Sequence, residues 1–250
     1  MVIMDKVFEE DVKIRYSEMD YDLVLKPSAL LQFLQDLASD NAENLNFGYS
    51  YIVKNNLAWF LLKYHIEFTD YPKGIYNLKI KTEPRGYNKL FAYRDFEIIS
   101  GDAQIGRAAS TWALVDLKNK SMSPIADALN ENPYMTQYEK REDDLVYGRV
   151  KPPQRIDIEK VFDIRFDDLD VNRHVNNANY IVWAFEPLDF EFRKKHKLRV
   201  LDMVFKKEIT YGNKVLSQVE VNDNITTHIL KNSTTGDELC VVRAEWIKKS

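Results

Sequence analysis

Three polar side chains alternate along one short stretch of the chain, Asp170, Asn172 and His174. If this stretch is extended, side chains at alternate positions lie on one face, so the three groups would point to one place. An imidazole beside an acid and an amide can transfer a proton and position a water molecule or a carbonyl oxygen. The alternative for any one of them is a turn or capping residue, which the same residue types favour.

A helix that is apolar on one face is predicted directly after this polar stretch. Its buried face would carry Tyr180, Ile181, Ala184, Phe185 and Leu188, at the i, i+1, i+4, i+5 and i+8 positions. Asn176 or Asn177 can cap its first turn. The start of a helix offers unpaired backbone N–H groups and the positive end of the helix dipole. A substrate oxygen that gains negative charge during a reaction would be stabilised there.

The composition is that of an ordinary globular protein, and it excludes several classes of function. The 250 residues allow one large domain or two small ones, and the net charge of −4 gives no reason to expect a nucleic-acid partner. A single cysteine, Cys240, cannot form an intrachain disulfide, and the four histidines lack metal-ligand spacing. The acidic N-terminus does not resemble a leader peptide, and no apolar run reaches the ~20 residues of a membrane helix. We therefore expect a cytoplasmic protein with no metal and no membrane insertion.

An internal repeat divides the chain. The segments 14–20 and 164–170 match in character 150 residues apart, and each precedes a helical pattern. Near the other end of each copy, residues 110–112 correspond to residues 244–246. The predicted strands are 56–68, 75–82, 90–99 and 104–116 in the first copy, and 202–209, 214–222, 226–232 and 238–247 in the second.

The repeat predicts an α+β fold in which one long helix precedes an antiparallel sheet, twice over. We assign residues 1–120 to the first copy, 121–158 to a linker and 159–250 to the second copy. The linker contains four prolines and a charged run, with a short helix predicted at 125–129. The pattern suggests two copies packed side by side, although two independent α+β domains would give the same pattern.

The polar stretch and its surroundings resemble the acyl-acyl carrier protein (acyl-ACP) thioesterases. Residues 168–177 are similar to the catalytic motif of that family almost position for position, and the likeness extends over nearly the whole chain. The resemblance implies a double hotdog fold, in which each repeat is a sheet curled around a long helix. It also implies that the chain hydrolyses fatty acyl-ACP to free fatty acid and holo-carrier protein, which ends chain elongation in fatty-acid synthesis, without a cofactor.

The resemblance assigns catalytic positions to Asp170, Asn172 and His174 and to an acid on a strand of the second repeat, Glu208. We expect Glu208 to activate water or to attack the thioester directly, whereas the alternative is an ion pair with a neighbouring lysine. Plant members carry a cysteine next to this acid, but here the position is Ile209, so a cysteine nucleophile is poorly supported. The first repeat has Asp20, Asp22 and Val24 at the positions matching Asp170, Asn172 and His174, so we expect it to be non-catalytic.

The family's N-terminal repeat shapes the acyl pocket, and an acyl chain needs a long apolar slot. Our candidates for its lining, for which the alternative is plain core, are Leu30, Phe33, Leu34, Trp59, Phe60 and Leu62. A basic run that could steer the acidic carrier protein contains Arg193, Lys194, Lys195 and Lys197.

Two alternative functions and the oligomeric state stay open at this point. A hotdog thioesterase acting on coenzyme A esters would use the same catalytic residues. A non-catalytic acyl-binding hotdog protein would have no use for the polar cluster. We expect either a homodimer or a monomer whose two repeats mimic one.

Overall fold

The computed structural model of this protein describes residues 5–129, 131–146 and 148–249. The first four residues, where the sequence predicts no leader peptide, lie outside this part, as do residues 130, 147 and 250. The strands of the described part are β1 (Phe8–Lys13), β2 (Leu57–Phe68), β3 (Asn77–Asn88), β4 (Phe91–Ser100), β5 (Ala103–Asp116), β6 (Ser121–Ser123), β7 (Ile158–Asp163), β8 (His196–Phe205), β9 (Lys214–Asn222), β10 (Ile225–Asn232) and β11 (Glu238–Lys248). The α-helices are α1 (Pro27–Asn44), α2 (Tyr49–Lys54), α3 (Ile125–Leu129), α4 (Asn177–Phe185) and α5 (Phe190–Lys195).

One continuous sheet joins the two repeats. Its strand order is β1-β3-β4-β5-β2-β8-β11-β10-β9-β7, and β6 pairs with β5 beside this path. β2 and β8 meet as antiparallel neighbours, in a register that runs from Lys63 opposite Val204 to Glu67 opposite Val200. The two copies are therefore packed side by side through a shared sheet, as a double hotdog fold requires, and not as two separate domains.

The central helices of the two repeats contact each other but differ in length. α1 has 18 residues, begins with Pro27 at a position where proline is favoured, and buries one face that includes Leu30 and Leu34. α4 has nine residues, half the length of α1. Pro187 follows two residues after its end, and proline cannot continue a helix because it lacks the backbone N–H. The predicted buried face of α4 is confirmed, since Tyr180, Ile181, Ala184, Phe185 and Leu188 are all buried.

The strand predicted at 202–209 is displaced in the structure. β8 begins at His196, inside the basic run, and ends at Phe205, so Glu208 lies in the connection after the strand and not on it. The strand begins early because Leu198 packs into the core while Arg199 faces solvent, which is the alternation of a strand with one buried face. It ends where Lys206 and Lys207 both donate their backbone N–H to Leu239 O, which interrupts the ladder.

The segment between the repeats packs closely on the first one. The short helix predicted at 125–129 is present as α3. Further on, Tyr87 N donates to Thr136 O and Tyr138 N donates to Tyr87 O, so this segment adds to the edge of β3. Gly86 allows the approach, because it has a φ of +92° and a Cβ atom there would lie 2.4 Å from Thr136 O. In the described part of the chain, no helix is long and apolar enough to cross a membrane.

Candidate active site

The polar stretch forms a tight turn and not the extended piece that the alternation suggested. Asp170 Oδ1 accepts hydrogen bonds from the backbone of Asn172 (2.8 Å) and His174 (3.2 Å), and Asp170 N donates to His174 O (2.7 Å). Arg173 closes the turn with a φ of +67°, in the left-handed region. Asp170 therefore shapes the turn with its side chain. Asn172 is exposed, while Asp170 and His174 are half-buried.

The structure brings His174 and Glu208 together. Val175 N donates to Ile209 O (3.0 Å), and His174 forms an isolated β-bridge with Thr210, so the polar turn pairs with the connection after β8. In this arrangement His174 Nδ1 lies 3.2 Å from Glu208 Oε2. The two side chains are 35% and 44% exposed, so both remain accessible to a substrate and to water.

The surroundings of Glu208 favour a carboxyl group that can act as a base. Partial burial raises the pKa of Glu208, the charge of His174 lowers it and the charge of Asp170 raises it, and the net result is a raised pKa. A carboxylate with a raised pKa is a better proton acceptor near neutral pH than an ordinary glutamate. The neighbouring lysines do not neutralise it, because Lys206 pairs with Glu238 and Lys207 pairs with Asp237.

A buried acid that sequence reasoning missed holds the polar turn from behind. Asp168 is 1% exposed, and its carboxylate accepts from Arg165 N (2.7 Å) and Arg165 Nη2 (2.6 Å). Its backbone oxygen accepts from Asn176 N and from Asn179 Nδ2, both at 2.9 Å. The i, i+3 spacing of Arg165 and Asp168 was the signal available in the sequence. Asp168 thus joins the turn to the start of α4.

The start of α4 lies directly behind the polar turn. Asn176 is its N-cap, since Asn176 Oδ1 accepts from Ala178 N at 2.9 Å, which confirms the predicted cap. Asn177 Nδ2 donates to Gln35 Oε1 of α1 at 3.5 Å, so the two central helices meet here. The dipole of α4 gives this place a partial positive charge beside the polar turn.

The first repeat contains the same turn without an imidazole or a neighbouring carboxylate like that of Glu208. Asp20 Oδ1 accepts from Asp22 N (2.9 Å) and Val24 N (3.0 Å), as Asp170 does in the second repeat. Val24 stands where the second repeat has His174. Glu208 is the third residue after β8, and the third residue after the matching strand β2 is Tyr71. The backbone is therefore retained while both the imidazole and the carboxylate are absent.

A cavity of about 520 Å³ connects the polar turn to the interior of the first repeat. Its polar end is formed by residues 169–172 and Asn176 of the polar turn and by Gln35 and Asp36 of α1, whereas the side chains of His174 and Glu208 are not in its lining. Its apolar part is lined by Phe47, Ile52, Trp59, Ala92, Trp112 and Met135. Residues of both repeats therefore line one cavity.

Five of the six side chains predicted to line an acyl slot are not in the lining of this cavity. Only Trp59 is. Leu30 and Leu34 are fully buried in the core beneath α1, where sequence periodicity alone could not separate core from cavity. The remaining three predicted residues outside the lining are Phe33, Phe60 and Leu62.

The basic run lies beside the corresponding turn of the first repeat. Lys197 pairs with Asp70 at 2.8 Å, next to Tyr71, and Arg193 lies close enough to Tyr71 for its charge to lower that tyrosine's otherwise raised pKa. Lys195 pairs with Glu191 within α5, and Lys194 is exposed at the end of that helix. The run is thus partly neutralised, by Asp70 of the first repeat and by Glu191 of the second.

Two other chemical possibilities find no support in the described residues. Cys240 is fully buried, and burial raises the pKa of its thiol, so it is not a reactive thiolate. No group of three or more His, Cys, Asp or Glu side chains in the described part of the chain could hold a metal ion. A groove of about 800 Å³ lies at the β2–β8 seam and is lined by His65, Asp202 and Arg243, but its lining includes none of residues 169–176.

Comparison with known proteins gives matches over nearly the whole chain. The family model described as the acyl-ACP thioesterase N-terminal domain matches residues 5–132, and that of the C-terminal domain matches residues 152–248. The chain is 24% identical to an oleoyl-acyl carrier protein thioesterase of Arabidopsis thaliana, over 97% of this chain and 77% of that protein. It is 26% identical to an acyl-[acyl-carrier-protein] hydrolase of Cuphea viscosissima, over 97% of this chain and 63% of that protein. Among solved structures, an acyl-ACP thioesterase from Bacteroides thetaiotaomicron superimposes with a TM-score of 0.86 at 20% identity, covering 97% of this chain and 98% of that one.

Proposed function

The chain belongs to the acyl-ACP thioesterase family, and we propose that Glu208 drives its hydrolysis of fatty acyl-ACP. The observation that carries the proposal is the carboxylate of Glu208, 3.2 Å from an imidazole nitrogen of His174. His174 belongs to the same turn as Asp170 and Asn172, which line one end of an apolar cavity. The raised pKa of Glu208 supports a role as proton acceptor. The products are the free fatty acid and holo-carrier protein.

In the proposed reaction Glu208 removes a proton from water as the water oxygen attacks the thioester carbonyl carbon. The carbonyl oxygen becomes negatively charged in the tetrahedral intermediate, and Asn172 together with the start of α4 stabilises it. His174 donates a proton to the sulfur of the departing phosphopantetheine arm as the C–S bond breaks. Asp170 acts through the backbone, because its carboxylate fixes the turn that presents Asn172 and His174.

A direct attack by Glu208 would use the same residues but would form a mixed anhydride. A single turnover in isotopically labelled water tests for the anhydride. Water activation places the label in the fatty acid only, and so does attack of water on the acyl carbonyl of an anhydride. Attack of water on the enzyme carbonyl of an anhydride places the label in the Glu208 carboxylate, so label in Glu208 would establish the direct route.

We propose that the acyl chain enters the cavity in the first repeat, with its thioester at the polar turn. A cavity of about 520 Å³ is within the range of ~300–1,000 Å³ that small-molecule sites occupy. The apolar side chains that line it, with Trp59 and Trp112 among them, would cover the alkyl chain. The predicted carrier contact at Arg193, Lys194, Lys195 and Lys197 stays a proposal, and Arg173 and Lys207, which are exposed near Glu208, are the competing contact.

The test is hydrolysis of acyl groups of different length, each offered on carrier protein and on coenzyme A, by the wild type and by Glu208→Ala. We expect carrier esters to be preferred and Glu208→Ala to lose at least about a hundredfold in kcat, the scale of removing a general base. Turnover of coenzyme A esters alone would favour the coenzyme A alternative. Wild-type activity in Glu208→Ala would refute the role of this residue, and no turnover of any ester would favour an acyl-binding protein.

The carrier contact has its own comparison. Lys194→Ala with Lys195→Ala removes the exposed end of the basic run, and Arg173→Ala with Lys207→Ala removes the charges near Glu208. Whichever pair of substitutions raises KM for carrier esters, but not for coenzyme A esters, identifies the docking side.

Both ends of the proposed site come from one chain, so one copy suffices for activity. The homodimer is a separate prediction, which sedimentation analysis tests. A reducing, cytoplasmic location is part of the proposal, in keeping with the single buried thiol.

A further inference from the structure

One face of α1 brings a polar side chain to the polar end of the cavity. The residues of this face that line the cavity at helix spacing are Gln35, Ala38, Ser39 and Ala42. The last three are small and leave room beside the helix, whereas Gln35 carries a long amide side chain. Gln35 is half-buried and lies at the end of the cavity that Asn172 and Asn176 also line. The first repeat thus contributes an amide group next to the polar turn of the second.

The start of α4 orients this amide. Asn177 Nδ2 donates to Gln35 Oε1 at 3.5 Å. The contact engages the amide oxygen, and the two N–H groups at Nε2 have no acceptor among the described residues. His174 is three residues before Asn177, so the Cα atoms of these two residues are at most about 11 Å apart. Two N–H donors of α1 are therefore held close to the turn that carries the imidazole.

The backbone at the start of α4 has few N–H groups left for a substrate oxygen. Ala178 N donates to the side chain of Asn176, and Asn179 N donates to the backbone oxygen of the same residue, both at 2.9 Å. The carboxylates of Asp36 and Asp170 also lie at this end of the cavity, but an ionised carboxylate only accepts hydrogen bonds. A carbonyl oxygen that becomes negatively charged here needs further donors, and side-chain amides are the groups that can supply them.

The internal repeat shows that this amide has no counterpart in the second repeat. α1 and α4 begin at residues 27 and 177, 150 residues apart, so Gln35 and Phe185 occupy the same position in the two helices. Phe185 is buried, and its ring lies 4.9 Å from that of Trp246, so this position of α4 belongs to the apolar core. The candidate site therefore combines an imidazole and a carboxylate from the second repeat with an amide from the first.

We propose that Gln35 is a catalytic residue, which donates a hydrogen bond from Nε2 to the carbonyl oxygen of the thioester. This rests on the proposed function, since it requires the thioester to lie at the polar turn. As water attacks the carbonyl carbon, an electron pair of the C=O bond moves onto the oxygen. The N–H groups of Gln35 stabilise the charge that develops there and transfer no proton. The first repeat then takes part in the chemistry and does not only shape the acyl pocket.

The test measures hydrolysis of carrier esters by Gln35→Met and Gln35→Glu. Methionine keeps the length of the side chain and its helix propensity but has no N–H donor. Glutamate keeps an oxygen that can accept from Asn177 but places a second oxygen where Nε2 was. We expect kcat to fall between about a hundredfold and a thousandfold in both variants, the scale of removing one oxyanion donor, while KM changes little. A wild-type kcat in either variant would overturn the inference.

Gln32 provides a matched control on the same helix. It is exposed, lies three residues before Gln35 and is outside the lining of the cavity. Gln32→Met should leave kcat unchanged, and a fall equal to that of Gln35→Met would refute the inference. Full activity in Gln35→Met with a loss in Glu208→Ala would refute the role of Gln35 and leave the proposed function intact. The reverse result would refute the role of Glu208 and support that of Gln35.

Binding gives a readout that does not need turnover. An acyl-pantetheine analogue with a phosphonate in place of the thioester carbonyl presents negatively charged oxygens where the charge develops, whereas a thioether analogue has no oxygen there. The wild type should bind the phosphonate more tightly than the thioether. Gln35→Met should reduce this preference by roughly tenfold, the scale of a hydrogen bond to a charged group. Calorimetric titration measures both affinities, and an unchanged preference in Gln35→Met would refute the inference.

Discussion

Asp168→Asn should destabilise the protein and slow hydrolysis, although Asp168 does not touch the reacting groups. The carboxylate is 1% exposed and accepts at 2.7 and 2.6 Å from the backbone and guanidinium of Arg165. An asparagine of the same size keeps one acceptor, but it turns an N–H₂ donor towards the donors of Arg165. Removing a charge-assisted hydrogen bond costs about 1.5–3 kcal/mol. Because the side chain of Arg165 is 72% exposed and can return to water, we expect a total of about 2–3 kcal/mol.

The functional effect follows from the backbone of the same residue. Asp168 O accepts from Asn176 N and Asn179 Nδ2, so a loosened turn shifts the start of α4 relative to His174. A misplacement of about 1 Å can reduce catalysis by roughly a hundredfold. We expect kcat to fall between about tenfold and a hundredfold while the pH at which activity appears stays the same.

The first repeat offers a matched substitution. Glu18 occupies the position of Asp168, its side chain accepts from Arg15 N (2.6 Å), and its backbone oxygen accepts from Lys26 N (2.8 Å). Its hydrogen bond is exposed to solvent, so Glu18→Gln should cost less than about 1 kcal/mol and leave kcat unchanged. Urea unfolding gives the free energies, and steady-state hydrolysis of carrier esters gives kcat. Equal costs in the two variants would refute the assignment of Asp168 as a buried support of the site.

Three further predictions concern pH and packing. Because the pKa of Glu208 is raised, the acidic limb of the pH profile of kcat/KM should lie at a higher pH than for an ordinary glutamate. The charge of Asp170 contributes to this raised pKa, so Asp170→Asn should move the acidic limb to lower pH. An acidic limb that does not move in Asp170→Asn would count against Glu208 as the base. Burial of His65 lowers its pKa, but hydrogen bonds to the carboxylates of Asp202 and Glu67 outweigh burial, and the net pKa is raised. Protonated His65 should therefore stabilise the β2–β8 seam fully below pH ~6.5, and this stabilisation should be lost as the pH rises through the raised pKa of the folded state. Urea unfolding across pH should show this slope in the wild type and a smaller slope in His65→Gln, and equal slopes would exclude the assignment. Gly86→Ala should lower the free energy of unfolding by more than about 1 kcal/mol, because φ at this position is +92° and the new Cβ would lie 2.4 Å from Thr136 O. An unchanged midpoint of urea unfolding would show that the linker can move away from residue 86.

Local patterns in the sequence determined much of the architecture. The repeat, the buried face of α4 and the cap at Asn176 follow from periodicity and residue type, which act over a few residues. β9 was predicted with both of its ends, because turn residues flank an alternating run. The resemblance at 168–177 pointed to the family that the comparisons show.

The tertiary structure decided the arrangement of the site. Glu208 lies off the strand, because β8 pairs with β11 in a register set by the core and ends at Phe205. Leu30 and Trp59 look alike as apolar residues, but only Trp59 lines the cavity. The basic run lies near the turn of the first repeat because β8 joins β2 at the seam of the two repeats. A sequence specifies which faces are apolar, whereas the surfaces that meet, and the space left between them, depend on contacts between residues far apart in the chain.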